Sequence, residues 1–187
     1  MKIALTGYAH SGKTTASDYI VQKYGYTKVN FKDALVAEMK KNLSPVMDEI
    51  IKLLESKPQI YDGREVMNYG WLFANKPPVF RALMQAYGTE IRRGDDENYW
   101  VERWKESVKD IENLVTDDCR FLNEAKYVKD NGGMILRIVR TDITSAGTHT
   151  SETEQANIVA DYTVEVDKGE HDKLYAKIDE IINQHGK

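Results

Sequence analysis

Short apolar runs alternate along the chain with longer segments whose apolar residues recur every three or four positions. The short runs have the length and composition of β-strands and lie at residues 2–6, 26–31, 114–117, 134–139 and 162–166. The longer segments have helical spacing and lie at residues 13–24, 34–43, 44–54, 80–87, 100–111 and 174–182. Strands separated by helices predict an α/β fold with a mostly parallel five-stranded sheet between two layers of helices.

Glycine and proline residues indicate where several of these helices begin and end. Gly25 follows the first helical segment and predicts its end. Ser44-Pro45 combines a good N-cap residue with a proline suited to a first helical turn. The helix that is entered through Pro77-Pro78 is expected to close at Gly88.

The length of 187 residues suits one domain, residues 1–187. No strand pattern interrupts residues 57–110, so a helical lobe at residues 34–110 is expected as an insertion within that domain. In open parallel sheets, ligands bind at the carboxyl ends of the strands. A helical lobe inserted between the second and third strands therefore suits a second substrate.

One motif predicts a phosphate-binding loop. Residues Gly7–Thr14 match G-x-x-x-x-G-K-[ST] and follow the first strand directly, which is typical of the three-layer P-loop NTPase fold. The backbone of such a loop binds ATP phosphates, the lysine balances charge on the transferring phosphoryl group, and the hydroxyl ligates Mg²⁺. The predicted ATP-binding residues here are Gly7, Ala9, His10, Ser11, Gly12, Lys13, Thr14 and Thr15, with Thr14 as the metal ligand. We expect His10 to be a variable loop position and not a catalyst, because phosphoryl transfer to an anion needs no base.

Composition limits the kind of protein that carries this loop. The net charge is −4, which provides no general attraction to nucleic acid or to an anionic membrane. One cysteine cannot form an internal disulfide, and no apolar run approaches the length of a membrane span. The first strand starts at residue 2, which leaves no room for a targeting peptide. These features predict a cytoplasmic protein.

A second cluster follows the third strand. Asp117-Asp118 lies where P-loop proteins keep an acidic residue near the metal, and Arg120 comes shortly after. The pattern does not decide which aspartate is nearer the metal. Cys119 between them is expected to be a small packing residue. Asp33 follows the second strand at the same sheet edge, where it can cap the next helix, contact a substrate, or do both.

A third cluster combines arginines with amide and hydroxyl groups. Arg81 and Gln85 are four residues apart and therefore share a helix face. Thr89 and the pair Arg92-Arg93 follow, and arginine is well suited to bidentate phosphate contacts. A solvated charged surface is the alternative for either arginine alone. Trp100 and Trp104 fit core positions and base-stacking positions, with Trp104 favoured for the core.

The chain resembles the bacteriophage deoxynucleoside monophosphate kinases, a branch of the P-loop nucleoside monophosphate kinases. If a phage encodes it, the expected cytoplasm is that of the host. Four blocks in the same order carry the resemblance: residues 5–15, 30–35, 85–93 with 99–101, and 118–125. A weaker fifth block combines residues 150–152 with 160–162. The resemblance implies transfer of the γ-phosphoryl group of ATP, with Mg²⁺, to a (deoxy)nucleoside 5′-monophosphate, giving ADP and a (d)NDP.

The resemblance also implies site residues. Lys13, Arg120 and Asp118 are expected to be catalytic. The expected dNMP-binding residues are Phe31, Lys32, Asp33, Arg64, Arg81, Gln85, Gly88, Thr89, Arg92, Arg93, Trp100, Asp118 and Arg120. No lysine or arginine occurs between residues 141 and 159, so Arg140 joins Lys13 and Arg120 as a predicted phosphate clamp on the ATP side. The oligomeric state stays open, a homodimer included.

Two other functions fit parts of the pattern. A dephospho-coenzyme A kinase-like enzyme has the same loop, fold and size but phosphorylates a ribose hydroxyl group. A nucleotide-dependent regulatory or binding module would bind ATP and hydrolyse it slowly without any acceptor. The absence of a clustered basic face in the sequence argues against a nucleic-acid-binding form of such a module.

Overall fold

The computed structural model describes residues 1–56, 68–143 and 150–185. The chain divides into two compact units. The first, called the sheet unit here, consists of Met1–Phe31 and Val101–Lys187. The second, called the helical unit, consists of Lys32–Trp100. No helix among the described residues is long and apolar enough to cross a membrane.

The sheet unit is built on five parallel strands, which confirms the predicted α/β fold and its strand direction. The strands are β1 Lys2–Thr6, β2 Thr27–Lys28, β3 Leu114–Thr116, β4 Met134–Arg140 and β5 Tyr162–Val166. Their order across the sheet is β2-β3-β1-β4-β5, with β1 in the centre. Ile3 is in register with Val115 on one side and with Met134 on the other.

Nine α-helices are described. They are α1 Lys13–Tyr24, α2 Phe31–Leu43, α3 Met47–Glu55, α4 Tyr69–Asn75, α5 Pro78–Gln85, α6 Tyr99–Val108, α7 Leu122–Asp130, α8 Thr150–Thr153 and α9 His171–His185. Short 3₁₀ turns occupy Ser44–Val46 and Glu154–Asn157. A π-helical segment, Ala86–Arg93, continues directly from α5.

Apolar side chains fill both faces of the sheet. Ile3 and Leu5 of β1 belong to one cluster, which also contains residues of α1 and α9. Ala4, between them, belongs to the other cluster, with residues of α6 and α7. Successive side chains of a strand point to opposite faces, so this alternation buries both sides of the sheet. The three-layer arrangement is therefore as predicted.

The helical unit has a core of its own. Six buried side chains form it: Met39, Met47, Leu72, Phe73, Phe80 and Met84. Every element described within this unit is helical, as the absence of a strand pattern predicted. Phe73 and Phe80 meet edge to face with ring centroids 5.0 Å apart, a favoured aromatic geometry.

The predicted end of the second strand and the predicted start of the helix after it are wrong. The second strand was expected at residues 26–31, but β2 ends at Lys28 and α2 begins at Phe31. The reason is a long-range contact, because the Phe31 N–H donates to Asp118 Oδ1 at 3.0 Å and so has an acceptor at the helix start. Asp33 consequently lies within the first turn of α2 instead of capping it from outside.

Gly88 does not close its helix, contrary to the prediction. The helical path continues through it to Arg93 as the π-helical segment. Gly88 has no positive φ, so it is not a left-handed terminator. Glycine is suited to this position because it has no side chain, since a Cβ here would come within 3.1 Å of Leu35 Cδ2.

Candidate functional site

The loop between β1 and α1 requires glycine at two positions of its motif. Gly7 has φ of 135° and Gly12 has φ of 101°, values that residues with a Cβ rarely adopt. A Cβ on Gly7 would also lie 2.2 Å from the Ile138 carbonyl oxygen. His10 is left-handed as well, with φ of 63°. The motif therefore folds into a tight turn that packs against β4.

Lys13 lies at the start of α1 with its side chain turned back onto this loop. Its Nζ donates to the carbonyl oxygens of Gly7 and Tyr8, each at 2.7 Å. Burial, followed by the nearby charge of Arg120, lowers the pKa of Lys13 from 10.5 to about 8. The ammonium group thus sits in a place where an anion would stabilise its charged form.

The remaining loop residues differ in exposure. Thr14 is exposed and Thr15 is half-buried. Ser11 Oγ is buried and has no hydrogen-bond partner among the described residues. A small cavity of about 160 Å³ adjoins the loop, lined by Gly7, Tyr8, Ser11, Arg137, Ile138, Val139, Arg140 and Ile143. The loop therefore presents polar groups next to open space.

The structure separates the two aspartates that the sequence left equivalent. Asp117 Oδ2 lies 3.1 Å from Ser17 Oγ on α1 and 2.7 Å from Lys28 Nζ. Ser17 Oγ is also 2.9 Å from the carbonyl oxygen of Thr14. Asp117 therefore belongs to the side of the site where α1 begins.

Asp118 faces the other way, toward the start of α2. Its Oδ1 accepts hydrogen bonds from the Thr116 hydroxyl at 2.8 Å and from the Phe31 N–H at 3.0 Å. Cys119, between this aspartate and Arg120, is buried, and burial raises the pKa of its thiol well above 9.0. The expectation that Cys119 is a packing residue agrees with this environment.

Arg120 is held by an acidic residue far along the chain. Its Nη1 donates to Glu152 Oε1 at 2.5 Å, and its backbone N–H donates to Glu124 Oε2 at 2.8 Å. Glu152 appeared in the sequence only as part of a weak resemblance block. No local pattern pairs two residues that are 32 positions apart, so sequence reasoning missed this ion pair.

Arg140 ends β4 beside the phosphate loop. Its Nη1 donates to the His10 carbonyl oxygen at 2.9 Å, and its Nε donates to Asp142 Oδ1 at 2.6 Å. Lys13, Asp117, Asp118, Arg120 and Arg140 thus all lie in the sheet unit. Among the described residues, no group of three His, Cys, Asp or Glu side chains is arranged to hold a metal ion.

The helical unit contains a second polar cluster, centred on Glu38 of α2. Arg92 Nε and the Tyr87 hydroxyl each donate to Glu38 Oε1 at 2.7 Å. The Tyr99 hydroxyl donates to Glu38 Oε2 at 2.6 Å. The Arg92 guanidinium also stacks on both tyrosine rings, 5.1 and 5.3 Å from their centroids. Sequence reasoning had named Arg92 but not the carboxylate that holds it.

The other residues of the third cluster are placed as follows. Trp100 is buried, and its Nε1 donates to the Gly88 carbonyl oxygen at 2.8 Å, which anchors the π-helical segment. Arg81 is exposed, and its side chain has no hydrogen bond or ion pair within the described chain. Gln85, Thr89 and Arg93 are half-buried.

Four expected site residues remain, three of them at the start of α2. Phe31 is buried and stacks on Trp104 with centroids 4.4 Å apart, so both rings belong to the core of the sheet unit. Lys32 is half-buried and Asp33 is exposed. Arg64 lies outside the described residues.

Comparison with solved structures finds chains of similar length at low sequence identity. Shikimate kinase from Aquifex aeolicus matches with a TM-score of 0.49 and 14% identity, covering 100% of this chain and 98% of the other. Dephospho-CoA kinase from Campylobacter jejuni matches with a TM-score of 0.49 and 12% identity, covering 100% of both chains.

Comparison of sequences is more specific. A protein of Acanthamoeba polyphaga mimivirus named "Putative deoxynucleotide monophosphate kinase" is 30% identical over 190 residues, covering 94% of this chain and 93% of the viral protein. The model of the deoxynucleotide monophosphate kinase family matches residues 64–178, which is more than half of the chain. The expectation of a deoxynucleoside monophosphate kinase is thus confirmed, and the chain belongs to the deoxynucleotide monophosphate kinase family.

Proposed function

We propose that this kinase transfers the γ-phosphoryl group of ATP to the phosphate of a deoxynucleoside 5′-monophosphate. The bond between the γ-phosphorus and the β–γ bridging oxygen breaks, and a bond to an acceptor phosphate oxygen forms. ADP leaves with the bridging oxygen and its electron pair. The acceptor oxygen is already ionised, so no side chain has to remove a proton from it.

On the donor side, we assign the ATP phosphates to the loop Gly7–Thr14 together with Thr15. Lys13 now bonds two loop carbonyl oxygens, and a phosphate oxygen would replace them as its partner. Arg140 is adjacent, because its Nη1 already bonds the loop at His10. Both cations would offset the repulsion between donor and acceptor phosphates, which is the main electrostatic obstacle to this reaction.

The oxygen ligands near the loop fit Mg²⁺. Magnesium in kinases is bound by hydroxyl and carboxylate oxygens together with substrate phosphates and water. Thr14 supplies an exposed hydroxyl, and Asp117 is linked to the same turn of α1 through Ser17. When bound, the ion would neutralise charge on the β- and γ-phosphates.

On the acceptor side, we assign the monophosphate to residues at the start of α2 and along α5 and the π-helical segment. This makes the helical lobe, predicted at residues 34–110, the acceptor-binding part of the chain. Arg81 is the best phosphate candidate, because its guanidinium has no partner within the described chain. Arg92 is already held by Glu38, so its role would be to stabilise the π-helical segment.

Phosphoryl transfer by such a site depends on positioning. Arg120 lies close enough to Lys13 to lower its pKa. We therefore place the transferring phosphoryl group between these two side chains. Asp118 would act by holding the start of α2, since its Oδ1 already accepts the Phe31 N–H.

ATP and deoxynucleotides are dissolved metabolites, so we further place the protein in the cytoplasm.

One observation carries the proposal, namely that Lys13 Nζ lies on the loop of the G-x-x-x-x-G-K-[ST] motif, 2.7 Å from the carbonyl oxygens of Gly7 and Tyr8. The test is a coupled assay for diphosphate formation, with ATP and Mg²⁺ against each deoxy- and ribonucleoside monophosphate. Lys13→Ala should abolish turnover, and Arg120→Ala should lower kcat by about 10³-fold, as for other arginines that stabilise transferring phosphoryl groups.

Other outcomes point elsewhere. Normal diphosphate formation by Lys13→Ala would overturn the proposed role of the loop. Phosphorylation of dephospho-coenzyme A, with no monophosphate accepted, would indicate the ribose-hydroxyl kinase instead. ATP hydrolysis without any acceptor would indicate a regulatory module. Circular dichroism of each variant shows whether its fold is retained.

A further inference from the structure

Arg120, which the proposed reaction places beside the transferring phosphoryl group, forms an ion pair with Glu152, a residue that has no role in that reaction so far. The two side chains approach to 2.5 Å between Nη1 and Oε1. About one third of the Arg120 side chain is exposed, and 15% of the Glu152 side chain is exposed. The carboxylate is therefore the more buried partner, and part of the Arg120 side chain is open to solvent.

The N–H donors of Arg120 that do not bond Glu152 indicate what the side chain could bind. A guanidinium has five N–H donors arranged as a planar fork. Within the described residues, Glu152 is the one acceptor of the Arg120 side chain, through Nη1. The Nε and Nη2 donors, which share one edge of the guanidinium, thus remain for an anion, and two such donors can bind a phosphate in a bidentate manner.

Glu152 is itself held in place. Its Oε2 accepts a hydrogen bond from Gln155 Nε2 at 3.2 Å, and the same nitrogen lies 3.1 Å from the Glu152 carbonyl oxygen. Gln155 is buried, with 1% of its surface exposed. Its carbonyl oxygen accepts from Arg137 Nη2 at 3.1 Å, which ties the segment to β4. The Glu152 carboxylate is therefore held in one position by its neighbours.

We propose that Glu152 is a positioning residue, whose carboxylate orients the Arg120 guanidinium so that its free edge meets the transferring phosphoryl group. Glu152 acts through Arg120 and touches neither substrate. The inference rests on the proposed function for the identity of the phosphate, but the orientation of Arg120 can be measured without turnover. Residues that orient a catalytic group commonly change activity by 10- to 100-fold when substituted.

The kinetic test compares two neighbouring glutamates. Glu152→Gln removes the charge but keeps the shape, and we expect kcat to fall about 10-fold with a smaller change in KM for ATP. Glu154→Gln is the matched control, because Glu154 accepts the Leu122 N–H and does not contact Arg120. Glu152→Asp keeps the charge and should recover part of the lost rate. A Glu152→Gln enzyme with wild-type kcat would overturn the proposal.

A double variant separates positioning from a general structural effect. If Glu152 acts through Arg120, then Glu152→Gln should change kcat less than 2-fold in an Arg120→Ala background, because interacting sites are not additive. A full 10-fold loss in that background would overturn the inference. Melting curves of all variants identify any that fail to fold. If Glu152→Gln is one of them, Glu152→Asp takes its place in the cycle, and the smaller loss of kcat that it causes should disappear in the Arg120→Ala background.

A spectroscopic measurement is independent of activity. The Arg120 side-chain ¹H–¹⁵N signals, assigned by their loss in Arg120→Lys, should show two distinct Nη groups in the wild type, since one is fixed by Glu152. In Glu152→Gln these signals should merge as the guanidinium rotates. If the wild type forms no diphosphate but the signals behave in this way, the proposed function fails and the positioning role stands. Merged signals in the wild type would overturn the positioning role itself.

Discussion

The Lys13 ammonium group is surrounded by groups that pull its pKa in opposite directions. Burial lowers the pKa most, and the charge of Arg120 lowers it further. Glu152, Asp117 and Asp118 raise it, and the balance is a pKa of about 8. A lysine that holds phosphate must be charged, so the free enzyme loses its competent form as the pH rises through this value.

We therefore expect kcat/KM for ATP to fall as the pH rises above about 8, because kcat/KM follows ionisations of the free enzyme. The corresponding fall in kcat should occur at higher pH, since bound phosphates stabilise the charged lysine. Initial rates between pH 6.5 and 10 at fixed ionic strength measure both profiles.

Lys13→Arg provides the control for this pH dependence. Arginine stays charged throughout the range, so any residual activity of the variant should show no decline centred near pH 8. An identical alkaline decline in the wild type and in Lys13→Arg would assign the ionisation to another group.

At the residue scale, the residues of the loop motif could be predicted from the sequence. The glutamates that pair with Arg120 and Arg92 could not. Gly7, Gly12 and Lys13 follow from a fixed local pattern whose geometry is contained in the loop itself. Glu152 and Glu38 become relevant because the fold brings them to arginines 32 and 54 positions away. Pairing over such distances leaves no periodic trace in the sequence.

At the element scale, long and strongly patterned segments were predicted best. The first helix begins and ends at Lys13 and Tyr24 as expected, because a motif precedes it and Gly25, with φ of 70°, terminates it. The helix α7 was not predicted. Its start is stabilised by the buried Glu124 side chain, which accepts from the Arg120 and Phe121 N–H groups.

The π-helical segment leads to a stability prediction. Glu38 accepts three hydrogen bonds from Tyr87, Arg92 and Tyr99, so Glu38→Gln leaves donors with a poorer acceptor. We expect the free energy of unfolding of the variant to fall by about 1–3 kcal/mol. Urea unfolding at pH 7 measures this change. Glu49→Gln on α3 is the control, because Glu49 is exposed and has no partner within the described chain.

The difference in the free energy of unfolding between the wild type and Glu38→Gln should depend on pH. Burial alone would raise the pKa of Glu38, but hydrogen bonds from Tyr99 and Tyr87 and the charge of Arg92 outweigh it and hold the pKa below 4.5. A carboxylate with a lowered pKa stabilises the fold above its unfolded-state pKa, and this stabilisation is lost as the pH falls through the folded-state value. The difference between wild type and Glu38→Gln should therefore shrink below pH 4.5. A constant difference from pH 7 to pH 3.5 would contradict this role of the charge.

At the scale of the whole molecule, the parallel sheet followed from the alternation of strands and helices. The strand order β2-β3-β1-β4-β5 did not, because it depends on pairings such as that of Ile3 with Val115. The kinase activity was predicted from the resemblance of the sequence to a known family, and the match to the deoxynucleotide monophosphate kinase model agrees with that prediction. A net charge of −4 provides no general attraction to nucleic acid, and it identifies no partner.

A ligand that binds only the folded chain stabilises it by mass action, which gives a test on the intact protein. We expect ATP with Mg²⁺, at about 100 times its dissociation constant, to stabilise the sheet unit by about 2.7 kcal/mol. For a chain of this length, that corresponds to a rise of about 5–10 °C in Tm. Scanning fluorimetry over a series of ATP concentrations, without any acceptor, measures the shift.

Two controls make this thermal shift specific to the phosphate loop. Lys13→Ala should fold but show a much smaller shift, because the loop loses its charge partner for the phosphates. Gly25→Ala substitutes another left-handed glycine, one with open space around its Cβ position, so it should lower the starting Tm and leave the ATP-induced rise unchanged. Equal shifts in the wild type and in Lys13→Ala would mean that ATP binds elsewhere, since a site centred on Lys13 cannot lose its cation without losing affinity.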